Sequence, residues 1–322
     1  MHKYNFFEKI LHDLILSNKF INKSLYEIEK IFFLEKKKIN TNHIFISGLP
    51  RSGTTALLNF IYSSDEFASL KYSNMPFLLA PNLSSLINKK KIKKIERPHQ
   101  DGIKYDINSP GSFDEIFFSE DKKYVKSEIK NYFSLILKSQ NKRRYLSKNN
   151  SNYRNINLIK SIFPKSKILI TIRHPFYQAF SLFNQHINFS KLQSKDSFIL
   201  RYMNYLNHNE FGLNHIPWNK PILYNDLNDV NYWLEQWCLF YEKILNNYKK
   251  NKISDFIIYE KLSSKKYLKR MLRKIELLNN KKIKINSLKN KNINKKNLNI
   301  IYNKYLIKKS ILIYNKFKKI NN

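Results

Sequence analysis

The run "HIFISGLPRSGTTALLNFIYSS", residues 43–64, constrains the fold more than any other stretch of this chain. It reads as a short apolar strand, His43 to Ser47, then a loop with glycines at 48 and 53, then a helix on which Leu57, Leu58 and Ile61 share one side. A strand that passes through a glycine-rich turn into a helix N-terminus aims several backbone N–H groups at one point, which makes an anion cradle. The spacing fits G-x-x-x-x-G-K-[ST] at both glycines and at Thr55. Thr54 stands where the lysine of that pattern belongs, and a different cation, Arg51, appears earlier in the loop. Two of the chain's five glycines fall here, so glycine abundance does not explain the match.

Further strands are expected at "KILITIR", Lys167 to Arg173, followed after His174-Pro175 by the helical "FYQAFSLFNQHI", and at "DFIIYE", Asp255 to Glu260. Strands alternating with helices imply a parallel sheet covered on both faces, with ligands at the carboxyl ends of its strands. The expected class is therefore α/β, a three-layer P-loop-like fold with a central parallel sheet and helical insertions. Ahead of it, Phe7, Ile10, Leu11, Leu14 and Ile15, then Leu25, Ile28 and Phe32, recur at helical spacing and predict two amphipathic helices within residues 4–34. Residues 176–250 read as mostly helical, with a loop near "NEFGLNHIPWNKP". From about residue 264 the chain turns Lys/Asn-rich and ends in a basic helix with Tyr302, Leu306, Ile313, Phe317 and Ile320 on one stripe. That stripe is expected to dock on the domain, although a membrane-surface helix has a similar pattern.

A net charge of +35 over 322 residues invites a nucleic-acid reading. Against it, the lysines are spread along the whole chain together with Asn and Ile, and no helix-turn-helix, zinc-finger or RNP motif accompanies them. An anionic small ligand is the better expectation, with nucleic acid not the main partner. Cys238 is the single cysteine, which excludes a disulfide framework and a cysteine-rich metal site; its run "YWLEQWCLFYEKIL" makes it a small core residue. No signal peptide and no run of membrane-spanning length appears, so a cytoplasmic location is expected.

Taken together, the motifs carry a specific resemblance. "LPRSGTT" after a strand resembles the 5′-phosphosulfate loop of the sulfotransferase family, in which Lys or Arg precedes "SGTT". "IRHPFYQAFS" is similar to the family's 3′-phosphate motif: Arg173 ends a strand and Ser181 follows at the usual interval of eight residues. "YEKL", Tyr259 to Leu262, resembles a third landmark whose tyrosine lies near the adenine, and "KYSNMPFLLAPNL" is similar to members of a bacterial branch. The resemblance implies the donor 3′-phosphoadenosine 5′-phosphosulfate (PAPS), held by Pro50, Arg51, Ser52, Gly53, Thr54, Thr55, Arg173, Ser181 and Tyr259. It implies no metal: the strand that would end in a magnesium-holding acid in an NTPase ends here in Arg173. One domain over 1–322 is expected. Its parts are N-terminal helices over 1–42, a nucleotide-binding core over 43–265 with an acceptor-side insertion at about 176–250, and a basic segment over 266–322.

Sulfuryl transfer needs cations for the leaving phosphate and the sulfuryl oxygens, and a base for the acceptor proton. Arg51 is the first cation, forked and always charged. Lys148 in "YLSKNN" is the second candidate, twenty-five residues before Arg173, where tyrosine-sulfating relatives carry a lysine. Several relatives place a glutamate base shortly after the loop, where this chain reads "LKYSN" with no acid. His99 in "ERPHQDGIKYD" is the replacement, with Asp101 or Asp106 to orient it, and the acidic pair Asp114 and Glu115 stands behind it. Two other readings stay open: a kinase or NTPase using Mg-ATP, and a non-catalytic anion- or nucleic-acid-binding protein. The acceptor, a hydroxyl or an amine, is not specified by any motif.

Overall fold

Ile44–Ser47 (β1) is buried along its whole length, so it is continuously apolar rather than alternating, as a central parallel strand must be. The structure, a computed structural model, describes residues 5–35, 39–87, 95–96, 104–111, 113–117, 126–251, 254–285, 288 and 302–321. In chain order the helices are Phe6–Ser17 (α1), Lys19–Phe33 (α2), Thr54–Tyr62 (α3), Pro81–Ile87 (α4), Lys126–Ser139 (α5), Ile156–Ile162 (α6), Pro175–Lys195 (α7), Ser197–Tyr205 (α8), Val230–Asn251 (α9), Lys265–Lys274 (α10) and Lys304–Ile320 (α11). The strands after β1 are Phe67–Ala68 (β2), Ile95–Glu96 (β3), Lys104–Tyr105 (β4), Arg144–Lys148 (β5), Lys167–Ile172 (β6) and Asp255–Ile258 (β7). Five of these form one parallel sheet in the order β2-β5-β1-β6-β7, while β3 and β4 pair antiparallel on their own.

The period of two sorts the core into two layers. Phe45, Ile168, Ile170, Phe256 and Ile258 pack on one face with residues of α5, α7, α9 and α11. Ile44, Ile46, Leu146, Leu169 and Ile257 pack on the other with α3 and α10. The expected three-layer α/β fold is what the chain adopts. Trp233 and Trp237 anchor the long α9, and Cys238 beside them is 1% exposed, its thiol pushed up to about 12 by burial. Helix α11 docks as expected: Leu306, Ile313 and Phe317 are buried, and Tyr302 donates to the Phe176 carbonyl.

Besides the separate β3–β4 pair, the structure adds two strands to the main sheet that the apolar pattern does not reveal. β2 is two residues long, and β5 is hidden by its charged ends. Arg144 at the start of β5 is nonetheless buried, because it donates to the carbonyls of Asn42 and Ile275 and pairs with Glu66 at 3.3 Å. Boundaries also move. Helix α3 begins at Thr54, Arg173 lies one residue past β6, and Tyr259 opens a one-turn 3-10 helix after β7.

Candidate active site

The loop between β1 and α3 keeps its shape through backbone that favours glycine. Gly48 has φ +132°, and a Cβ there would meet the Thr171 carbonyl at 2.6 Å. Gly53 has φ +95° and caps α3, and a Cβ there would strike the Tyr259 ring at 2.3 Å. Arg51 also sits in left-handed backbone, at φ +66°. For a residue with a side chain this costs on the order of 1 kcal/mol, a strain that recurs at ligand-gripping turns. The first amides of α3 have no intrahelical partner and Gly53 supplies no side-chain cap. The loop thus ends in open donors at the positive end of a helix dipole.

Neighbouring elements brace this loop from below. Ser52 is fully buried; its Oγ donates to the Leu49 carbonyl at 2.6 Å and lies 2.5 Å from Thr171 Oγ1 on β6. Its N–H also turns inward, to Leu49. Ser52 therefore shapes the loop from inside, whereas the resemblance places it among the donor contacts. Gln178 on α7 donates to the Pro50 carbonyl at 2.9 Å and accepts from Trp237 Nε1 on α9 at 3.0 Å. Tyr241, also on α9, donates to the Thr171 carbonyl at 2.8 Å.

Above the loop the motif residues converge. Arg51 Nε donates to Ser181 Oγ at 2.9 Å, and Arg173 donates to the Arg51 carbonyl at 3.0 Å. The Arg173 guanidinium lies 5.0 Å from the centre of the Tyr259 ring. Burial lowers the Arg173 pKa, Tyr259 opposes that, and the Arg51 charge adds to it. Arginine stays protonated through such a shift. Its hydrogen-bond partner is a neutral carbonyl, and no carboxylate lies within ion-pair distance of it among the described residues. A 9% exposed cation beside a second cation is an arrangement that an anion stabilises. Three stretches far apart in sequence, at residues 51, 173–181 and 259, thus meet at one point. Glu260 is occupied otherwise, accepting from the His174 N–H at 2.8 Å and from Tyr314 at 2.7 Å.

One strand away, at the carboxyl end of β5, the charge reverses. Asp114 is 2% exposed and accepts from Ser147 Oγ at 2.5 Å and Tyr145 at 3.1 Å. Burial raises its pKa against those bonds and the pull of the nearby Lys148. Glu115 accepts from Ser151 at 2.6 Å; burial, with the negative charge of Glu210 next, pushes its carboxyl well above the usual range. Glu210 arrives from the connection between α8 and α9 and accepts from Asn150 at 3.1 Å, while the Asn150 carbonyl accepts from Ser47 at the end of β1. Half-buried Lys148 is thus an electrostatic neighbour of Asp114 and Glu115, and the two strands that end in these clusters are hydrogen-bonded to each other. Sequence reading names Asp114 and Glu115 only as reserves and misses Glu210; the signal for all three is their gathering in space.

Of the remaining expected residues, His99 and Asp101 lie outside the described residues. Asp106 accepts from the Asn108 N–H at 2.9 Å and from Ser109 Oγ at 3.0 Å, which makes it a turn-former. His174 precedes α7, and burial lowers its pKa. Among the described residues no group of three or more His, Cys, Asp or Glu side chains has metal-holding geometry.

Comparison with known proteins places residues 43–248 on the model of the sulfotransferase family. No curated protein matches the chain significantly. Among solved structures, sulfotransferase STF9 from Mycobacterium avium is similar over 99% of this chain and 87% of its own, at 12% identity and a TM-score of 0.51. Sulfotransferase STF1 from Mycobacterium tuberculosis H37Rv is similar over 84% and 77%, at 11% identity and a TM-score of 0.49. At such identities the first likeness is one of fold.

Proposed function

This chain belongs to the sulfotransferase family, and on that premise we propose that it moves a sulfuryl group from PAPS to a hydroxyl or amine acceptor by in-line transfer, releasing 3′-phosphoadenosine 5′-phosphate (PAP). The meeting of Arg51, Arg173, Ser181 and Tyr259 over an open helix N-terminus carries this reading. A nucleotide with anions at both its 3′ and 5′ ends suits a site with two separate guanidinium groups. Arg51 and the amides of Gly53, Thr54 and Thr55 serve the 5′ end, with Pro50 and Ser52 fixing the turn. Arg173 and Ser181 serve the 3′ end, and Tyr259 offers its ring to the base.

In transfer, the Arg51 guanidinium stabilises charge on the leaving phosphate, and Lys148 supplies a second positive charge from β5. His99 takes the acceptor proton on this reading. The braces from Thr171, Gln178 and Tyr241 hold the loop in place before any ligand arrives, so little reorganisation accompanies binding.

Thermal denaturation with three ligands tests the reading. PAP without metal should stabilise the fold by about 2.7 kcal/mol at a hundredfold excess over its Kd, through binding to the native state alone. A shift with Mg-ATP but none with PAP would transfer the assignment to a kinase. A shift with an oligonucleotide alone would make the chain a nucleic-acid binder.

A further inference from the structure

Helices α1 and α2 carry half of the exposed large apolar side chains among the described residues, nine of eighteen. On α1, Phe6, Phe7, Ile10, Leu11 and Leu14 form one continuous stripe, with exposures from 41% to 79%. Their spacing is that of a helix face meant for burial, and yet it looks outward. On α2, Phe20, Ile31 and Phe32 are each more than 70% exposed. Single exposed apolar residues are ordinary on any surface, but a two-helix concentration of this kind marks an interaction surface.

The outward presentation is fixed by the other side of each helix. Lys9 pairs with Asp196 at 2.8 Å, Asp13 pairs with Arg201 at 2.8 Å, and His12 packs against the rings of Phe198 and Tyr202. Buried Glu29 on α2 accepts from the Asn82 and Leu83 amides at 2.7 and 3.1 Å, the open donors that begin α4. Tyr26 donates to the Glu128 carbonyl. On α1 Lys9, His12 and Asp13 meet the protein together with Ile15 and Leu16 at its C-terminal end, while the five apolar residues from Phe6 to Leu14 face away.

Charge selects the occupant. A second copy of this chain carries the same net charge of +35, and two such molecules repel one another as wholes, which opposes a dimer. An anionic bilayer attracts the same charge, and exposed Lys19 and Lys23 stand one and three residues from Phe20, where they would meet headgroups as the ring enters the acyl boundary. We propose that α1 and α2 form a docking surface for an anionic lipid membrane, in which the chain lies on the bilayer without crossing it. No helix among the described residues is long and apolar enough to cross.

Co-sedimentation of the full chain with vesicles tests this, using phosphatidylcholine alone and phosphatidylcholine mixed with phosphatidylserine. The chain should bind the mixed vesicles and release as salt is raised. Phe7→Ser with Phe20→Ser should weaken that binding about tenfold or more, since apolar insertion is lost while the net charge stays at +35. Both side chains are exposed, and an unchanged melting temperature verifies that the variant is folded. Binding of the variant equal to the parent would overturn the proposal by showing that charge alone draws the chain to lipid. So would absence of parent binding to mixed vesicles, or a dimer in analytical ultracentrifugation that the double substitution dissolves.

Discussion

At the end of β1 a cationic loop is made from consecutive residues, Gly48 to Thr55, and braced from β6, α7 and α9. At the end of β5, the adjoining strand, Asp114, Glu115 and Glu210 gather from distant segments around Lys148. The first region carries fixed positive charge on a loop held by its neighbours. In the second, burial raises the pKa of Asp114 and of Glu115, the latter also through the negative charge of Glu210. On the function proposed above, the two would divide the work that group transfer demands: fixed charge for the donor, and titratable groups one strand away.

The sharpest way to break the comparison is to remove the fixed charge. Arg51→Ala should lower turnover of labelled PAPS about 10³-fold, the scale seen when one preorganised charge-stabilising group is lost. The assay follows a screen of phenols, sugars and amines for an acceptor. A variant with near-parental turnover would show that the loop binds without taking part in transfer.

A smaller effect should separate the two arginines. Arg173→Ala should weaken PAP about 10–100-fold, the worth of a charge-assisted contact of about 1.5–3 kcal/mol. Adenosine 5′-phosphosulfate, which has no 3′-phosphate, should lose little. Calorimetry that finds equal losses for both ligands would make Arg173 a brace for the Arg51 carbonyl and nothing more.

The smallest effect belongs to the acidic region and concerns stability. Glu115 holds its proton more tightly folded than unfolded, because burial and Glu210 raise its pKa. Its contribution is therefore fully present below the ordinary carboxylate value of about 4.3, and it is lost as pH rises towards the raised folded value. Glu115→Gln removes that loss, so urea melts should show the variant gaining on the order of 1 kcal/mol over the parent on the alkaline side, and almost nothing on the acid side. Equal differences at both ends would mean that Glu115 is already ionised at its site, and the contrast between fixed and titrating charge would fail.

What the sequence discloses follows the same division. Gly48 to Thr55, Arg173 and Ser181 are legible because a loop shape and a helix register each fix them locally, and the sheet is legible where β1, β6 and β7 are continuous apolar runs. β5 escapes because Arg144 and Lys148 look like solvated ends, although one is buried by carbonyl partners that only the fold supplies. Glu210 escapes for a similar reason: nothing in "NHNEFGLNH" points to Asn150. Helix α1 teaches the opposite lesson. Its period is plain, but periodicity says that one face differs from the other and not which face the domain covers.

The bracing of the loop also has a consequence in time. The partners that fix Gly48 to Thr55 are Thr171, Gln178, Trp237 and Tyr241, all made long after the loop itself. A ribosome adding roughly 5–20 residues per second reaches Tyr241 on the order of ten seconds or more after Thr55. During that interval the arginine-bearing turn leaves the exit tunnel without the elements that hold its left-handed backbone. A nascent chain halted before α9 would carry every residue of the loop and still lack Trp237 and Tyr241, which makes the loop's final shape a late event in the life of each molecule.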